Sequence, residues 1–500
     1  MRLFQGRVAR VVGTVAVVVG ALLWVASWAT ASPIGATPDE DYHLASIWCP
    51  PGVEGACPTR RLPDGTREVE LPRRLVDASA CMARQPDASG ACVERISLQP
   101  SWTPRVDDGE YPGGFYRAMH LFVGKRFTES VFTMRLVNGA VAVALLGAAV
   151  ALTSPRGRLT VSAGLLLASV PMGVYLVASI NPSGWAVTGV AAAWVGVHGY
   201  LAESSTGRRA GLAAVALAGA LLAATARSDA GAYVALAALA VAVLHADRLR
   251  ADARHAALPA VIAVVGVLGY VSGSQGVAVA NGMDGRGPGG LGLLASNVFA
   301  LPSLLLESMA GPLNWLDTSV PALTSVTVTL FAAAAVFWGL RSLTWAKGIS
   351  LLGLVVAFCV LPLLLLQLSG ANVGAEVQGR YLTPLVAVIL MTALWDPVRN
   401  SAERLTRVQT TVVLLGLVAA QMAALWVQIR RFTTGMDGSG FNLDAHVEWW
   451  ASPVPPMATV VLGSVGFAVV ALGALLAGRR NGVEARMAAP LALSTAGILP

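Results

Sequence analysis

Apolar runs of roughly 17 to 22 residues recur from one end of this chain to the other. A hydrocarbon core of about 30 Å needs roughly 20 apolar residues in a helix, so each run is long enough to cross a bilayer. Charged residues make up 13% of the chain, about half the share that is typical of soluble domains. The sequence therefore predicts an all-α polytopic membrane protein with about 12 transmembrane helices and a long extracytoplasmic first loop.

The predicted spans are separated by short polar or charged segments, except for the long loop that follows the first span. The apolar segment 291–312 contains Pro302 and Glu307, and we interpret it as re-entrant or interfacial. If residues 291–312 crossed the membrane, every later connecting segment would lie on the opposite side from the one predicted here. The predicted spans cover residues 11–28, 131–152, 159–179, 184–201, 211–226, 230–245, 258–275, 322–340, 349–368, 381–395, 409–427 and 457–477.

Basic residues are distributed unevenly between the two sets of connecting segments. The segments that this order places in the cytoplasm hold 18 Lys and Arg against 6 acids, whereas the rest of the chain holds 17 against 22. Cytoplasmic loops are enriched in Lys and Arg, so both termini are predicted to be cytoplasmic. Arg430 and Arg431 fall on the other side and are the exception. Because loop bias explains the basic excess and no nucleic-acid motif is present, no nucleic-acid partner is expected.

The predicted topology divides the chain into four parts. Residues 1–31 form an N-terminal tail and the first span, and residues 32–130 form the extracytoplasmic loop, with disulfides and short helices. Residues 131–477 form a bundle of about 11 helices, and residues 478–500 form a disordered cytoplasmic tail.

Four of the five cysteines lie in the predicted extracytoplasmic loop. An even number of cysteines in an exported segment indicates disulfides, although four cysteines allow three connectivities. Pairing of sequence neighbours is favoured. A zinc site is the alternative, and the absence of a CxxC spacing disfavours it. The favoured pairs are Cys49–Cys57 and Cys81–Cys92.

Three consecutive carboxylates and a histidine follow the first span, in the segment Pro38-Asp39-Glu40-Asp41-Tyr42-His43. If a helix begins after the proline, Asp39, Glu40 and His43 share one face. Such a face could hold a general base, a divalent metal such as Mg²⁺ or Mn²⁺, or the charged head of a substrate. The alternative is an ordinary solvated start of a loop.

Other polar residues are predicted on the same side of the membrane. The Arg380 guanidinium offers a two-pronged donor for phosphate, Gly379 allows close backbone approach, and Tyr381 suits the membrane interface. Arg135 either extends towards the membrane surface or faces the interior. Each residue also has an ordinary interpretation as a turn, an ion pair, a helix cap or an interfacial anchor. The further candidates are Asn181, Arg227, Asp229, Asp317 and Gln378.

The position of these candidates bears on the class of function. Transporters that couple to protons or ions bury ionisable groups near the middle of the membrane. Here the candidates all fall at the outer surface of the predicted topology, which favours an enzyme that works on that face.

In their order and spacing, these motifs resemble a bacterial membrane family known as domain of unknown function 2142. The resemblance covers roughly residues 10–400, and the Ala/Val/Gly-rich composition is similar to that of actinobacterial members. The motifs that carry it are Pro38-Asp39-Glu40 with His43, the paired loop cysteines, Asn181-Pro182, Trp315-Leu316-Asp317-Thr318 and Gln378-Gly379-Arg380-Tyr381.

That family is grouped with the glycosyltransferase C superfamily, whose members use polyprenyl-phosphate-linked sugars and a carboxylate in the first outer loop. The resemblance implies an inverting glycosyltransferase at the bacterial plasma membrane, with Asp39 or Glu40 as base. Arg380, and with it Arg227, would hold the lipid phosphate. The acceptor would be a cell-envelope glycan or an exported protein. The alternatives are a transporter or flippase of a lipid-linked glycan and a non-catalytic protein of envelope assembly.

Overall fold

The computed structural model describes residues 2–274, 287–375, 377–396 and 405–487. These residues are mainly helical, which confirms the predicted fold class. The helices are α1 Arg2–Ala29, α2 Glu40–Trp48, α3 Arg73–Asp77, α4 Ala91–Glu94, α5 Gly114–His120, α6 Phe127–Leu152, α7 Pro155–Ala168, α8 Val174–Val177, α9 Pro182–Ala202, α10 Thr206–Ala224, α11 Ser228–Leu244, α12 Ala246–Ala251, α13 Ala257–Val271, α14 Leu291–Ala310, α15 Ala322–Gly339, α16 Trp345–Ser369, α17 Thr383–Leu394, α18 Arg407–Thr433 and α19 Pro456–Met487.

Short helical segments of other types complete the helical part of the described chain. A π-helical turn, Ser169–Gly173, joins α7 to α8 and contains Val170 in a non-helical conformation. The 3₁₀ segments are Ser79–Cys81, Ala253–Ala256, Leu340–Ser342 and Gly379–Leu382.

Each predicted span falls on a helix of the structure. Within the described residues, ten helices are long and apolar enough to cross a membrane, and α11 and Gly379–Leu394 are shorter apolar helices. The helix α9 is not among the ten, but it has 21 residues and is buried almost throughout because it lies inside the bundle. A multi-pass membrane protein is therefore confirmed, and the count of about 12 spans stays a prediction.

Residues 32–130 form a small subdomain on one side of the bundle. We call this side of the protein the loop face. Three antiparallel strands in the order β1-β2-β3 form its sheet, and the helices α2 to α5 pack in a hydrophobic core that also includes bundle residues such as Met134, Trp185 and Phe432. Both predicted disulfides, Cys49–Cys57 and Cys81–Cys92, are formed. The strands are β1 Thr59–Arg61, β2 Arg67–Pro72 and β3 Pro100–Thr103.

Arg431, at the end of α18, ties this subdomain to the bundle. Its side chain is fully buried and donates hydrogen bonds to the carbonyl oxygens of Met82, Gln85 and Ala88. It also forms an ion pair of 3.1 Å with Asp317. Arg431 was an exception to the predicted distribution of basic residues. Its contacts show that it anchors the subdomain internally and is not a free charge in a loop.

The helix α14 covers the segment that we interpreted as re-entrant or interfacial. Asn297, in its second turn, donates to the carbonyl of Ala371, just after α16, and the carbonyl of Ser308 accepts a bond from Thr383, at the start of α17. The connection between α16 and α17 contacts the subdomain 32–130, so it lies on the loop face. Both halves of α14 therefore contact the loop face, which agrees with an interfacial helix despite its span-like length.

The helix α19 continues to Met487, beyond the start of the predicted cytoplasmic tail at residue 478. The remainder of that tail, residues 488–500, lies outside the described residues. The predicted division of the chain into four parts is otherwise left as a prediction.

Cysteine labelling tests whether α14 crosses the membrane. In a background with Cys359→Ala, we expect Gly287→Cys and Ser319→Cys to react with a membrane-impermeant thiol reagent from the same side, because both flank a helix that lies along one face. Lys125→Cys reports the loop face, and Arg156→Cys, in the first turn of α7 next to the far end of α6, reports the opposite face. Labelling of Gly287→Cys and Ser319→Cys from opposite sides would show that α14 spans.

Candidate functional site

The acid segment after α1 is held in place at the loop face by contacts from distant parts of the chain. The Asn181 side-chain amide donates to the carbonyl of Pro38 at 3.1 Å, and the Trp315 indole donates to the carbonyl of Gly35 at 2.9 Å. Asp39 then adopts the left-handed conformation, with φ of 56°, immediately before α2. Because of this sharp turn, the Asp39 side chain points in a different direction from the side chains of the helical residues that follow.

Glu40 is completely buried and pairs with Arg135 of α6. The Arg135 guanidinium donates to both carboxylate oxygens of Glu40, with a shortest distance of 2.7 Å, and to the carbonyl oxygens of Ala29, Ser32 and Pro33. Neither side chain is accessible to solvent. The pair therefore joins the end of α1, the acid segment and α6, and Arg135 faces the protein interior.

His43 is also buried, but it turns to a third set of partners. Its Nδ1 lies 3.0 Å from the Tyr116 hydroxyl, and its ring packs against Tyr42 and Tyr111. Burial lowers the pKa of the His43 imidazole well below its ordinary value, and the nearby Arg227 guanidinium adds to this effect. The imidazole is therefore neutral at pH 7.

Asp39, Glu40 and His43 do not converge on one point. The left-handed turn at Asp39, the ion pair of Glu40 and the tyrosine contacts of His43 direct the three side chains to separate partners. In the part of the chain that the structure describes, no group of three or more His, Cys, Asp or Glu side chains is arranged to hold a metal ion. The residues present do not fit the predicted Mg²⁺ or Mn²⁺ site, and we derive no chemistry through a metal.

Asp39 is the most accessible carboxylate of the acid segment. Its side chain is 39% exposed and accepts a hydrogen bond of 2.9 Å from Arg380. Arg105 lies 3.7 Å away on its other side and pairs more closely with Asp41, at 2.7 Å. Asp39 therefore lies between two guanidinium groups at the edge of solvent.

Arg380 and Arg227 share one aromatic ring. Their guanidinium carbons lie 5.1 Å and 4.7 Å from the centroid of the Tyr381 ring, which is within the range of cation–π attraction. Arg227 is held by two hydrogen bonds of 2.9 Å to Asp229 and by Ser183. Two guanidinium groups and their two aspartate partners, Asp39 and Asp229, therefore meet around the Tyr381 ring, and their charges balance.

A small cleft beside Arg380 has space for about one water molecule. Two buried polar atoms of the cleft-lining residues have no hydrogen-bond partner: Nε of Arg380 and Oε1 of Gln378. Unpaired buried polar atoms are rare because leaving them unbonded is costly, so such atoms in a cleft indicate a ligand or ordered water. The remaining lining residues are Met172, Glu307, Gly311, Pro312, Leu316 and Gly379.

The predicted site residues thus separate into two groups. Asp39, Arg227, Asp229, Arg380 and Tyr381 surround one region of the loop face through the contacts above, and Gln378 lines the adjoining cleft. Other predicted residues have structural partners instead. Asn181 holds Pro38, and Asp317 accepts bonds from Arg431 and from the backbone of Arg84.

The sequence did not single out several residues that complete the site. Arg105 brackets Asp39 and Asp41, and Tyr111 lies beneath Arg227, with a distance of 6.0 Å from ring centroid to guanidinium carbon. Tyr42 donates hydrogen bonds to Asp107 and Glu110. Arg105 and Tyr111 lie more than 60 positions from the acid segment and belong to no distinctive motif, whereas Tyr42 lies inside that segment, where only the charged residues and the histidine were predicted to act.

Residues 22–389 match the family model described as predicted membrane protein (DUF2142). The chain belongs to this family. No curated protein and no solved structure matches it significantly. Membership of DUF2142 therefore agrees with the multi-pass architecture, and the similarity to the glycosyltransferase C superfamily stays a prediction.

The buried ion pair of this DUF2142 protein gives a stability prediction. Replacing Arg135 by Met leaves the Glu40 carboxylate buried without a counter-ion, which we expect to cost about 3–5 kcal/mol of unfolding free energy. The measurement is denaturant unfolding in detergent. Arg126→Met is the matched control because the Arg126–Glu129 pair is exposed, and its loss should change stability by less than about 0.5 kcal/mol. Equal effects of the two substitutions would contradict the assigned role of Arg135.

The lowered pKa of His43 gives a prediction about pH. The unfolded chain binds a proton below its ordinary pKa near 6.5, whereas the folded imidazole does not, so stability falls as the pH drops from 6.5 towards 5. His43→Gln should reduce this slope by up to about 1.4 kcal/mol per pH unit. His446→Gln, at an exposed histidine, is the control. An unchanged slope in His43→Gln would show that His43 is not kept neutral by the fold.

Proposed function

We propose that this DUF2142 protein is a membrane glycosyltransferase, which moves a sugar from a polyprenyl-phosphate donor to a cell-envelope acceptor on the outer face of the plasma membrane. The observation that carries the proposal is the accessible Asp39 carboxylate, bonded to a buried arginine whose Nε has no partner. A carboxylate beside an unsatisfied cation on one face of a membrane bundle suits a reaction in which an anion leaves as a proton is removed.

Arg380 is the proposed ligand of the donor phosphate. The Nε and Nη2 hydrogens of an arginine form a fork that matches two oxygens of a phosphate. In Arg380, Asp39 occupies Nη2 and nothing occupies Nε. A phosphate at this fork would satisfy both donors and displace the Asp39 carboxylate. Arg227 packs against the same Tyr381 ring, and Asp229 fills its fork and balances its charge.

Asp39 is the proposed general base. The sequence left Asp39 and Glu40 as alternatives, and the buried pair with Arg135 favours a structural role for Glu40. The freed Asp39 carboxylate would take the proton of an acceptor hydroxyl as that oxygen attacks the anomeric carbon. The bond from the anomeric carbon to the phosphate oxygen breaks, and its electron pair leaves with the phosphate. Arg380 stabilises this developing charge, and the configuration at the anomeric carbon inverts.

The architecture supports a lipid-linked donor. The site lies at the loop face of a multi-pass bundle, next to α14, an apolar helix with Leu291 and Phe299 each 85% exposed. A phosphate carried on a long hydrocarbon would reach Arg380 from the bilayer while its tail remained in lipid. On this proposal the loop face is extracytoplasmic, as the charge asymmetry of the connecting segments predicts.

Asp39→Asn tests the proposal because it keeps the shape of the side chain and removes the base. We expect transfer from a polyprenyl-phosphate sugar by purified protein to fall by about 10²- to 10⁴-fold, the usual contribution of general-base catalysis. Unfolding stability should change little, since the side chain is partly exposed, and donor binding should not weaken, because the substitution removes the carboxylate that the phosphate has to displace from Arg380.

Glu129→Gln, at an exposed acid of α6, is the matched control and should retain full activity. Full activity of Asp39→Asn would contradict the proposal. A transporter or an assembly partner would show no transfer in the wild-type protein without a two-sided membrane, and that result would favour those alternatives.

A further inference from the structure

We propose that Arg105 is a positioning residue, which receives the Asp39 carboxylate when a phosphate takes the place of that carboxylate on Arg380. This inference rests on the proposed function, and it adds the step that links donor binding to release of the base. It is carried by two arginines that lie on opposite sides of one carboxylate.

The two oxygens of Asp39 face different arginines. Its Oδ2 accepts the 2.9 Å bond from Nη2 of Arg380, whereas its Oδ1 lies 3.7 Å from Nη2 of Arg105. The second distance is longer than a hydrogen bond but short enough for an ion pair. A phosphate on Arg380 would therefore free the carboxylate beside a second guanidinium, which it reaches by turning its side chain.

The backbone on both sides of Asp39 is fixed, so the side chain alone can make this movement. Asn181 holds the carbonyl of Pro38, and the carbonyl of Asp39 accepts a bond of 2.9 Å from the backbone N–H of His43 in α2. Within the described residues, two basic side chains form ion pairs with Asp39, and Arg105 is the one that the proposed phosphate leaves unoccupied.

Arg105 is itself held in place although its side chain is half exposed. Its Nε and Nη2 donate to the two carboxylate oxygens of Asp41, at 2.7 Å and 3.1 Å, and the Asp41 side chain is almost buried. The backbone N–H of Arg105 donates to the Thr103 hydroxyl, and that of Asp107 donates to the Ser46 hydroxyl in α2. Arg105 therefore offers a cation at a defined position beside the base.

The order of charges explains what a second arginine contributes. Arg380, Asp39, Arg105 and Asp41 alternate in sign, and their charges balance. A phosphate on Arg380 adds negative charge beside Asp39, and like charges repel. Arg105 offsets this repulsion because it draws the carboxylate to the side away from the phosphate. Displacement of Asp39 therefore costs less than its release without a new partner.

A double-mutant cycle on the purified full-length protein tests the inference, with polyprenyl phosphate as the probe. Arg105→Gln should weaken binding of this lipid about three- to tenfold, because the displaced Asp39 then has no second cation. In the Asp39→Asn background no carboxylate is displaced, so Arg105→Gln should change affinity by less than about twofold. Equal losses in the two backgrounds would show a general attraction between Arg105 and the phosphate and would overturn the proposal.

Arg105→Lys separates the charge of Arg105 from its support of the fold, because lysine keeps the cation and loses the two-pronged bond to Asp41. We expect its affinity for the lipid to stay within about twofold of the wild type. Arg73→Gln is the matched control, at a partly exposed arginine that pairs with Asp77 in the same subdomain, and it should leave affinity unchanged. Denaturant unfolding confirms that each variant is folded. If folded Arg105→Lys binds as weakly as Arg105→Gln, the proposal is overturned.

The outcomes distinguish this inference from the proposed function. If the wild type binds polyprenyl phosphate, Arg380→Ala does not, and the cycle shows no coupling between Arg105 and Asp39, the role of Arg105 is overturned and the phosphate site stands. If the wild type does not bind the lipid, the phosphate site at Arg380 is overturned together with the proposed function, and the role of Arg105 falls with it.

Discussion

The buried ion pair between Glu40 and Arg135 is the interaction on which the arrangement of the loop face depends. Arg135 projects from α6 into the turn after α1 and bonds to three of its carbonyl oxygens as well as to Glu40. Two charges without access to water are tolerated only when their hydrogen-bonding capacity is satisfied, and this pair meets that condition. By fixing Glu40, it fixes the neighbouring Asp39 in a left-handed turn at the edge of solvent.

The same face contains charges of a different kind. Glu40, Asp317 and Arg431 are almost fully buried and have close partners, so they hold the subdomain 32–130 against the bundle. Asp39 is accessible, and Arg380 borders a cleft; Nε is unpaired in both Arg380 and Arg431, so accessibility is what separates the two groups. A left-handed aspartate and an unsatisfied buried donor each raise the free energy of the fold by about 1–3 kcal/mol, and such features concentrate where a protein meets a ligand. The proposed chemistry uses this second group.

The sequence was most informative where the bilayer or chain connectivity restricts the outcome. Apolar length predicted the helices, and sequence proximity predicted both disulfides. Pro302 and Glu307 distinguished residues 291–312 from the predicted spans. The sequence could not reveal the partner of Glu40, because Arg135 is 95 residues away and a single arginine near the end of a span is equally typical of an interfacial anchor. Asp39 does not share the predicted face with Glu40 and His43, because helical spacing applies only inside a helix and α2 begins at Glu40.

The most direct test of the central claim is an experimental structure of the full-length protein in a lipid nanodisc with a polyprenyl-phosphate hexose. The account predicts the phosphate at Arg380, with its oxygens within hydrogen-bonding distance of Nε and Nη2, and the Asp39 carboxylate released from that arginine. A phosphate bound elsewhere, with the Asp39–Arg380 pair intact, would contradict it.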